Sequence, residues 1–336
     1  MLGPVNSLAK SIPYNNVVYG AVGGSILVIN IKMGKCMSRQ QVFSNHIIDS
    51  LVVGNDSSGV AFGDNSVALL CFPNEWEVSV TKIFGNLDDR VLDAGIVDVG
   101  GSSVLIIGFA HNFLDVVDLT HGSVLSRVHA PTSSCMLFSM SLACHRTAVV
   151  AGEDESCVVV PVASGTAMGC VELWECHLNN GDGNCATSTV TAVATDTSNK
   201  EAFLKGHEGV IFRMRWSTDR RQLASVSDDR SVRLWDVCSG VALWAGWGHS
   251  CRVWDVCFLK SGLSEPSALG PDEPLLVTCS EDGSVRTWSD AGRCLASLYG
   301  HGKNVWRVAA VDYSHSTTLT KPYIVSGGND GKICIW

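Results

Sequence analysis

Three segments in the last 136 residues of this 336-residue sequence repeat one set of landmarks, and they constrain the fold more than any other feature. Gly206-His207 is followed by Ser225, Asp229 and Trp235; Gly248-His249 by Thr278, Asp282 and Trp288; Gly300-His301 by Ser326, Asp330 and Trp336. In each, the hydroxyl residue precedes Asp by four positions and Asp precedes Trp by six. The His-to-Trp distances are 28, 39 and 35. The extra length falls in Ser261–Pro274 and around Tyr313–Lys321, polar and turn-rich stretches that read as loops. Between landmarks the residues alternate as strands do. Ser231-Val-Arg-Leu-Trp235 and Ser284-Val-Arg-Thr-Trp288 are such strands, entered through tight turns at Asp229-Arg230 and Asp282-Gly283.

A Gly-His opening and a closing Trp around three such strands resemble the WD40 repeat, whose units are four-stranded blades of a β-propeller. That resemblance implies one buried hydrogen-bonded network per blade: His207, Ser225, Asp229 and Trp235; His249, Thr278, Asp282 and Trp288; His301, Ser326, Asp330 and Trp336. Upstream the landmarks decay while the rhythm persists. Asn16–Ile31, Ile47–Phe72, Val91–Leu119 and Cys135–Val162 each hold two or three β-rich runs punctuated by Gly or Asp. Four degenerate units and three good ones predict an all-β, seven-bladed propeller spanning residues 1–336. The degenerate blades occupy about 1–175, a looped insertion about 176–200, and the well-formed repeats 201–336. The seventh unit reaches only its third strand at Trp336. Either residues near Met1–Ser11 supply the outer strand or the chain is a fragment of a longer protein, and a fragment is the expectation here.

Composition narrows the function. Hydrophobic residues make up 46% of the chain and charged ones 17%, which supplies a large core and argues against disorder. No apolar run reaches the roughly 18 residues that a membrane span needs, and the first residues lack the pattern of a signal peptide. The 14 cysteines, none in a C-x-x-C pair, therefore read as reduced thiols of a cytoplasmic protein. Residues 1–200 carry 9 basic and 18 acidic side chains, and residues 201–336 carry 15 of each. An acidic first half disfavours unaided grip on a phosphate backbone, and DNA is not expected as a partner.

Candidate chemistry is sparse. His207, His249 and His301 recur once per blade, so they cannot converge on one metal ion. Asp98-Val-Gly-Gly-Ser-Ser103 faintly resembles the Gly-rich turn of adenosylmethionine-binding enzymes, but a strand follows where a helix would have to open. No cofactor and no catalytic residue is predicted. A binding surface is better supported. In the first strand of each good repeat the apolar residues run Ile211 and Met214, Val253 and Val256, Val305 and Val308, a three-residue step that implies a bulge. Displaced there are Phe212-Arg213, Trp254-Asp255 and Trp306-Arg307, aromatic–charge doublets of the kind that binding hot spots favour. With Arg252 and Lys303 they form the expected partner or RNA surface. Trp244 and Trp247 are read as lying on the loop before His249.

The wording of the last 130 or so residues narrows the family. Gly206-His-Glu-Gly-Val-Ile-Phe-Arg-Met-Arg-Trp216, Leu223-Ala-Ser-Val-Ser-Asp-Asp-Arg-Ser-Val-Arg-Leu-Trp235 and Gly248-His-Ser-Cys-Arg-Val-Trp254 resemble the WD repeat-containing protein 6 family. The resemblance implies a non-catalytic scaffold that partners an FtsJ-like tRNA 2′-O-methyltransferase and positions the tRNA wobble nucleotide for methylation. The partner would supply methyl donor and catalytic residues, and tRNA would be bound through the complex, with Arg213, Arg252, Lys303 and Arg307 on the RNA side. The alternative is a generic interaction scaffold, such as a ubiquitin-ligase substrate receptor or signalling adaptor. Trp235-Asp-Val-Cys238 lacks the Arg common in such receptors.

Overall fold

A computed structural model describes residues 3–12, 14, 16–54, 57–99, 101–131, 136–144, 157–180, 190–196, 203–259, 274–311 and 323–336. Every element in them is a β-strand, and the strands pair antiparallel into seven small sheets. The result is a seven-bladed β-propeller. The innermost strands, one per blade, are Val5–Lys10, Ser50–Val53, Val91–Val99, Leu137–Leu142, Ile211–Trp216, Val253–Phe258 and Val305–Val311.

Seven hydrophobic clusters hold the blades, and each lies between two neighbours. Because a blade is packed on both faces, its middle strands need apolar residues on both sides rather than strict alternation. That accounts for the unbroken runs of the first blade, where Val17–Val22 and Ser25–Asn30 are buried at every position. The outer strands face solvent, and Lys35–Gln41 of the same blade is largely exposed. The clusters close the circle. Val5, Leu8, Leu27 and Ile29 of the first blade pack against Ala309, Val311 and Val325 of the seventh.

Among the described residues the seventh blade lacks an outer strand, as expected, and the structure departs from the sequence expectations at two other places. Val5–Lys10 pairs with Val17–Val22 as the innermost strand of the first blade, so residues near Met1–Ser11 do not add an outer strand to the seventh, which has three strands. Of the insertion expected at about 176–200, the described residues are strand and pair within the fourth blade. Cys176–Asn180 continues the long strand Cys170–Asn180, and Val190–Asp196 returns along it with Trp174 opposite Asp196. The outer edge of the fourth blade is thus made in two pieces, the second being Phe203–Lys205 opposite Cys170–Glu172. Finally, Trp244 and Trp247 lie on the outer strand Val241–Trp247 of the fifth blade and not on a loop. Trp244 stacks on Trp288 of the next blade with ring centroids 6.4 Å apart, while Trp247 is 65% exposed. Of the expected loops, 261–273 and 313–321 lie outside the described residues, as do 181–189 and 197–200. The Asp98–Ser103 turn joins Val91–Val99 to the strand Ser102–Phe109, so no helix opens there.

Candidate functional site

Each good repeat builds the same hydrogen-bonded chain. In the fifth blade Trp235 Nε1 donates to Ser225 Oγ (2.8 Å), which lies 2.7 Å from His207 Nε2, and His207 Nδ1 lies 2.9 Å from Asp229 Oδ2. Asp229 also accepts the Glu208 amide at 3.0 Å and the Ser231 amide at 2.8 Å. The sixth blade repeats this with Trp288, Thr278, His249 and Asp282 at 2.8, 2.9 and 3.0 Å. The seventh does so with Trp336, Ser326, His301 and Asp330 at 2.8, 2.9 and 3.0 Å. The network ties the turn before the third strand to the loop entering the first, which lie at the same end of the blade.

Charge in these chains follows from burial. Desolvation lowers the pKa of His207 and His249, so each ring is neutral at pH 7 and can donate from Nδ1 and accept at Nε2. Burial alone would raise the Asp229 and Asp282 carboxyls, but hydrogen bonds from the histidine and from Ser231 or Ser284 hold both below the usual carboxylate range. His, Ser and Asp are also the residue types of a hydrolase triad. Here Ser225 and Ser326 are fully buried and each hydroxyl already accepts an indole N–H, so no substrate carbonyl can reach them.

The bulges fall where the aromatic–charge doublets lie. The ladder register slips between Ile211 and Arg213, between Val253 and Asp255, and between Val305 and Arg307. It slips at the same point in three further inner strands, displacing Asn6, Leu92 and Phe138. Phe138 is 48% exposed and joins Phe212, Trp254 and Trp306 at this register, where Phe212 and Trp254 meet at 4.4 Å. A bulge re-aims one side chain while leaving the next in the ladder. The two halves of each doublet therefore do different work.

The residue after each bulge is polar in all six strands, and it binds across to another blade. Ser7 Oγ accepts the Leu51 amide (3.0 Å), and Asp93 Oδ2 accepts that of Leu142 (2.8 Å). Ser139 Oγ donates to the Ile211 carbonyl at 2.9 Å, and Asp255 Oδ2 accepts the Val308 amide at 3.2 Å. Arg213 Nε lies 3.4 Å from Asp255 Oδ1, and Arg307 donates to the Asp49 carbonyl at 3.3 Å. These contacts form a polar collar around the inner strands.

Burial divides the residues of the expected RNA surface. Arg213 is 8% and Asp255 2% exposed, and both belong to the collar. Burial, then repulsion from Arg307 and Arg215, pulls the Arg213 pKa down, the mark of a desolvated cation and not of a phosphate-facing one. Arg252 is exposed, but its Nε lies 2.6 Å from Asp228 and 3.9 Å from Glu281. Phe212, Trp254 and Trp306 are half-buried, Arg307 is half-buried with its Nε enclosed, and Lys303 is exposed.

Two hollows lie where the seventh and first blades meet, the second reaching residues of the sixth and second blades as well. One, of about 380 Å³, is lined by Pro4, Gly302, Lys303 and Asn329–Lys332. The other, of about 330 Å³, is lined by Asn6, Asp49, Trp254, Asn304, Trp306 and Arg307. Among the described residues no cluster of three His, Cys, Asp or Glu could hold a metal ion.

The sequence reading missed a fourth network. Trp174 Nε1 donates to Ser164 Oγ at 3.0 Å, Ser164 bonds Asn112 of the preceding blade at 2.8 Å, and Asn112 bonds Glu172 at 2.9 Å. The signal was present: Ser164 precedes Trp174 by ten positions, as Ser225 precedes Trp235.

Comparison with known proteins agrees with this geometry. The model of the WD domain, G-beta repeat, matches residues 198–236, 243–289 and 292–336. The tRNA (34-2′-O)-methyltransferase regulator WDR6 of Homo sapiens is 27% identical over 270 residues, 78% of this chain and 20% of that protein. Its Mus musculus counterpart is 32% identical over 142 residues, 40% of this chain and 11% of that protein. The U5 small nuclear ribonucleoprotein 40 kDa protein of Dictyostelium discoideum is 28% identical over 178 residues, covering 49% of this chain and 43% of that protein. The chain thus spans a fifth or less of the length of the WDR6 proteins it matches.

Proposed function

Since the chain is a WDR6-like WD-repeat protein, we propose that it is a non-catalytic scaffold, acting in the cytoplasm, that partners an FtsJ-like methyltransferase and positions tRNA for 2′-O-methylation of the wobble nucleotide. The observation that carries this reading is the similarity, over 78% of the chain, to a protein named as a tRNA (34-2′-O)-methyltransferase regulator. The structure supports a scaffold in a second way. Its buried His–Ser–Asp and His–Thr–Asp chains are saturated with indole and backbone donors, and its buried charges bind blade to blade. The chemistry-bearing side chains therefore hold the ring, and the methyltransferase supplies donor and catalytic groups. What the scaffold contributes is orientation, which lowers the entropic part of a bimolecular barrier.

The test is reconstitution. The full-length protein and the methyltransferase are combined with tRNA, and wobble 2′-O-methylation is measured with and without the scaffold. Methylation that depends on the scaffold, with no activity from the scaffold alone, is the expected result. Equal methylation in its absence, or methyl transfer by the scaffold unaided, would overturn the reading.

A further inference from the structure

We propose that the paired hollows at the junction of the seventh and first blades form a single-stranded RNA contact, in which one unpaired nucleotide base lodges against Trp254 and Trp306 while Lys303 and Lys332 hold the adjoining phosphates. This rests on the tRNA reading above and names the part of the RNA that this propeller would hold.

Charge singles out the place. The chain carries a net charge of −9, yet the side chains lining the two hollows include the cations Lys303, Lys332 and Arg307. Both lysines are exposed and make no ion pair among the described residues. The two carboxylates alongside are occupied: Asp330 by His301 and the Gly302 and Lys332 amides, Asp49 by Arg90 at 3.3 Å. Elsewhere on the rim the exposed Arg252 is spent on Asp228 and Glu281. Three cations against two carboxylates leave the lining net positive, and a phosphate chain would meet two exposed lysines there.

The second hollow has the chemistry of a base pocket. Two indoles line it, and base–aromatic stacking is the usual means of holding an unstacked base. The side-chain amides of Asn6 and Asn304 line it too and make no hydrogen bond among the described residues, so each offers a donor and an acceptor to a base edge. Arg307 lines the hollow as well, with its buried Nε lacking a hydrogen-bond partner. At about 330 Å³ the hollow is at the small end of ligand pockets, suited to one base and not to a duplex.

The test uses the full-length protein in complex with its methyltransferase, with an anticodon stem–loop RNA as probe and a fully paired duplex of the same length as control. Affinity is measured across a salt series. The K303E/K332E double variant changes exposed residues only, and it should weaken stem–loop binding at least tenfold and flatten the log–log salt slope by about 1.4, two single-strand phosphates' worth. W306A should weaken binding about tenfold and leave the slope unchanged, with W306F restoring most of it. Unchanged stem–loop affinity in both variants, with wobble methylation intact, would overturn the proposal and leave the scaffold reading standing. A wild-type complex that binds no tRNA would overturn both. Equal binding of the duplex, or variants that lose the methyltransferase while keeping RNA affinity, would show a different kind of surface and also overturn it.

Discussion

Ser225 Oγ accepts the Trp235 indole proton and gives its own to His207, so one atom settles two buried groups. Removing it leaves both unpaired. Ser225→Ala should cost about 1–3 kcal/mol, the usual penalty for orphaning buried polar atoms, read as a lower denaturation midpoint at constant slope. Ser225→Thr should cost less, because Thr278 makes the same two bonds in the sixth blade. The histidines also make the fold acid-sensitive. Burial holds the pKa of His207 and His249 below the ordinary value of about 6.5, so near neutrality the unfolded chain binds more protons than the folded one. Stability is complete above about pH 6.5 and falls as pH drops below it. Asp229 and Asp282, held low by their hydrogen bonds, add a second loss below about pH 4. Thermal midpoints measured from pH 8 to pH 4 should decline on the acid side; a flat profile down to pH 5 would contradict neutral buried rings.

At the scale of elements, the turn before the third strand of the fifth, sixth and seventh blades holds a left-handed residue. Gly283 (φ 80°) and Gly331 (φ 69°) occupy it in the sixth and seventh blades, and Arg230 (φ 70°) in the fifth. A Cβ at Gly283 would meet nothing closer than 3.6 Å, so Gly283→Ala isolates the backbone cost, about 1–2 kcal/mol. Arg230→Gly should shift the melting temperature the opposite way. Equal effects of the two changes would argue against a shared conformation. These turns were legible because Asp-Gly and Asp-Arg sit at a fixed distance before Trp. The bulges were legible too, from the three-residue step between Ile211 and Met214. Which half of each doublet turns inward was not, because Arg213 is buried by Asp255 of another blade and a repeat pattern carries no inter-blade contact. The pairing of Cys170–Asn180 with Val190–Asp196 in the fourth blade was missed for a related reason. Asn-Asn-Gly-Asp-Gly-Asn is turn chemistry, and it hid the continuation of Cys170–Asn180 and its return as Val190–Asp196. The Ser164–Trp174 pair escaped because its usual His partner is replaced by Asn112 from a neighbouring blade.

Over the whole molecule, stability is shared among seven inter-blade clusters, but the seams are not equivalent. Six join blades consecutive in sequence, so their opening is limited by a short tether. The seam between the first and seventh blades joins strands some 300 residues apart, where Val5, Leu8, Leu27 and Ile29 pack on Ala309, Val311 and Val325. Val5 is fully buried there, and a Cβ on Gly327 would come within 2.4 Å of it, a measure of how tightly the two blades fit. Val5→Ala should remove about 1–3 kcal/mol, the cost of a small core cavity. Because the seam has no tether, the loss should appear as local opening before global unfolding. Hydrogen exchange in the variant should quicken in Val5–Lys10 and Val305–Val311 and remain slow in Leu137–Leu142, on the opposite side of the ring. Uniform quickening in all three strands would mean that the propeller opens as one cooperative unit, with the polar collar and not the seam setting its weakest point.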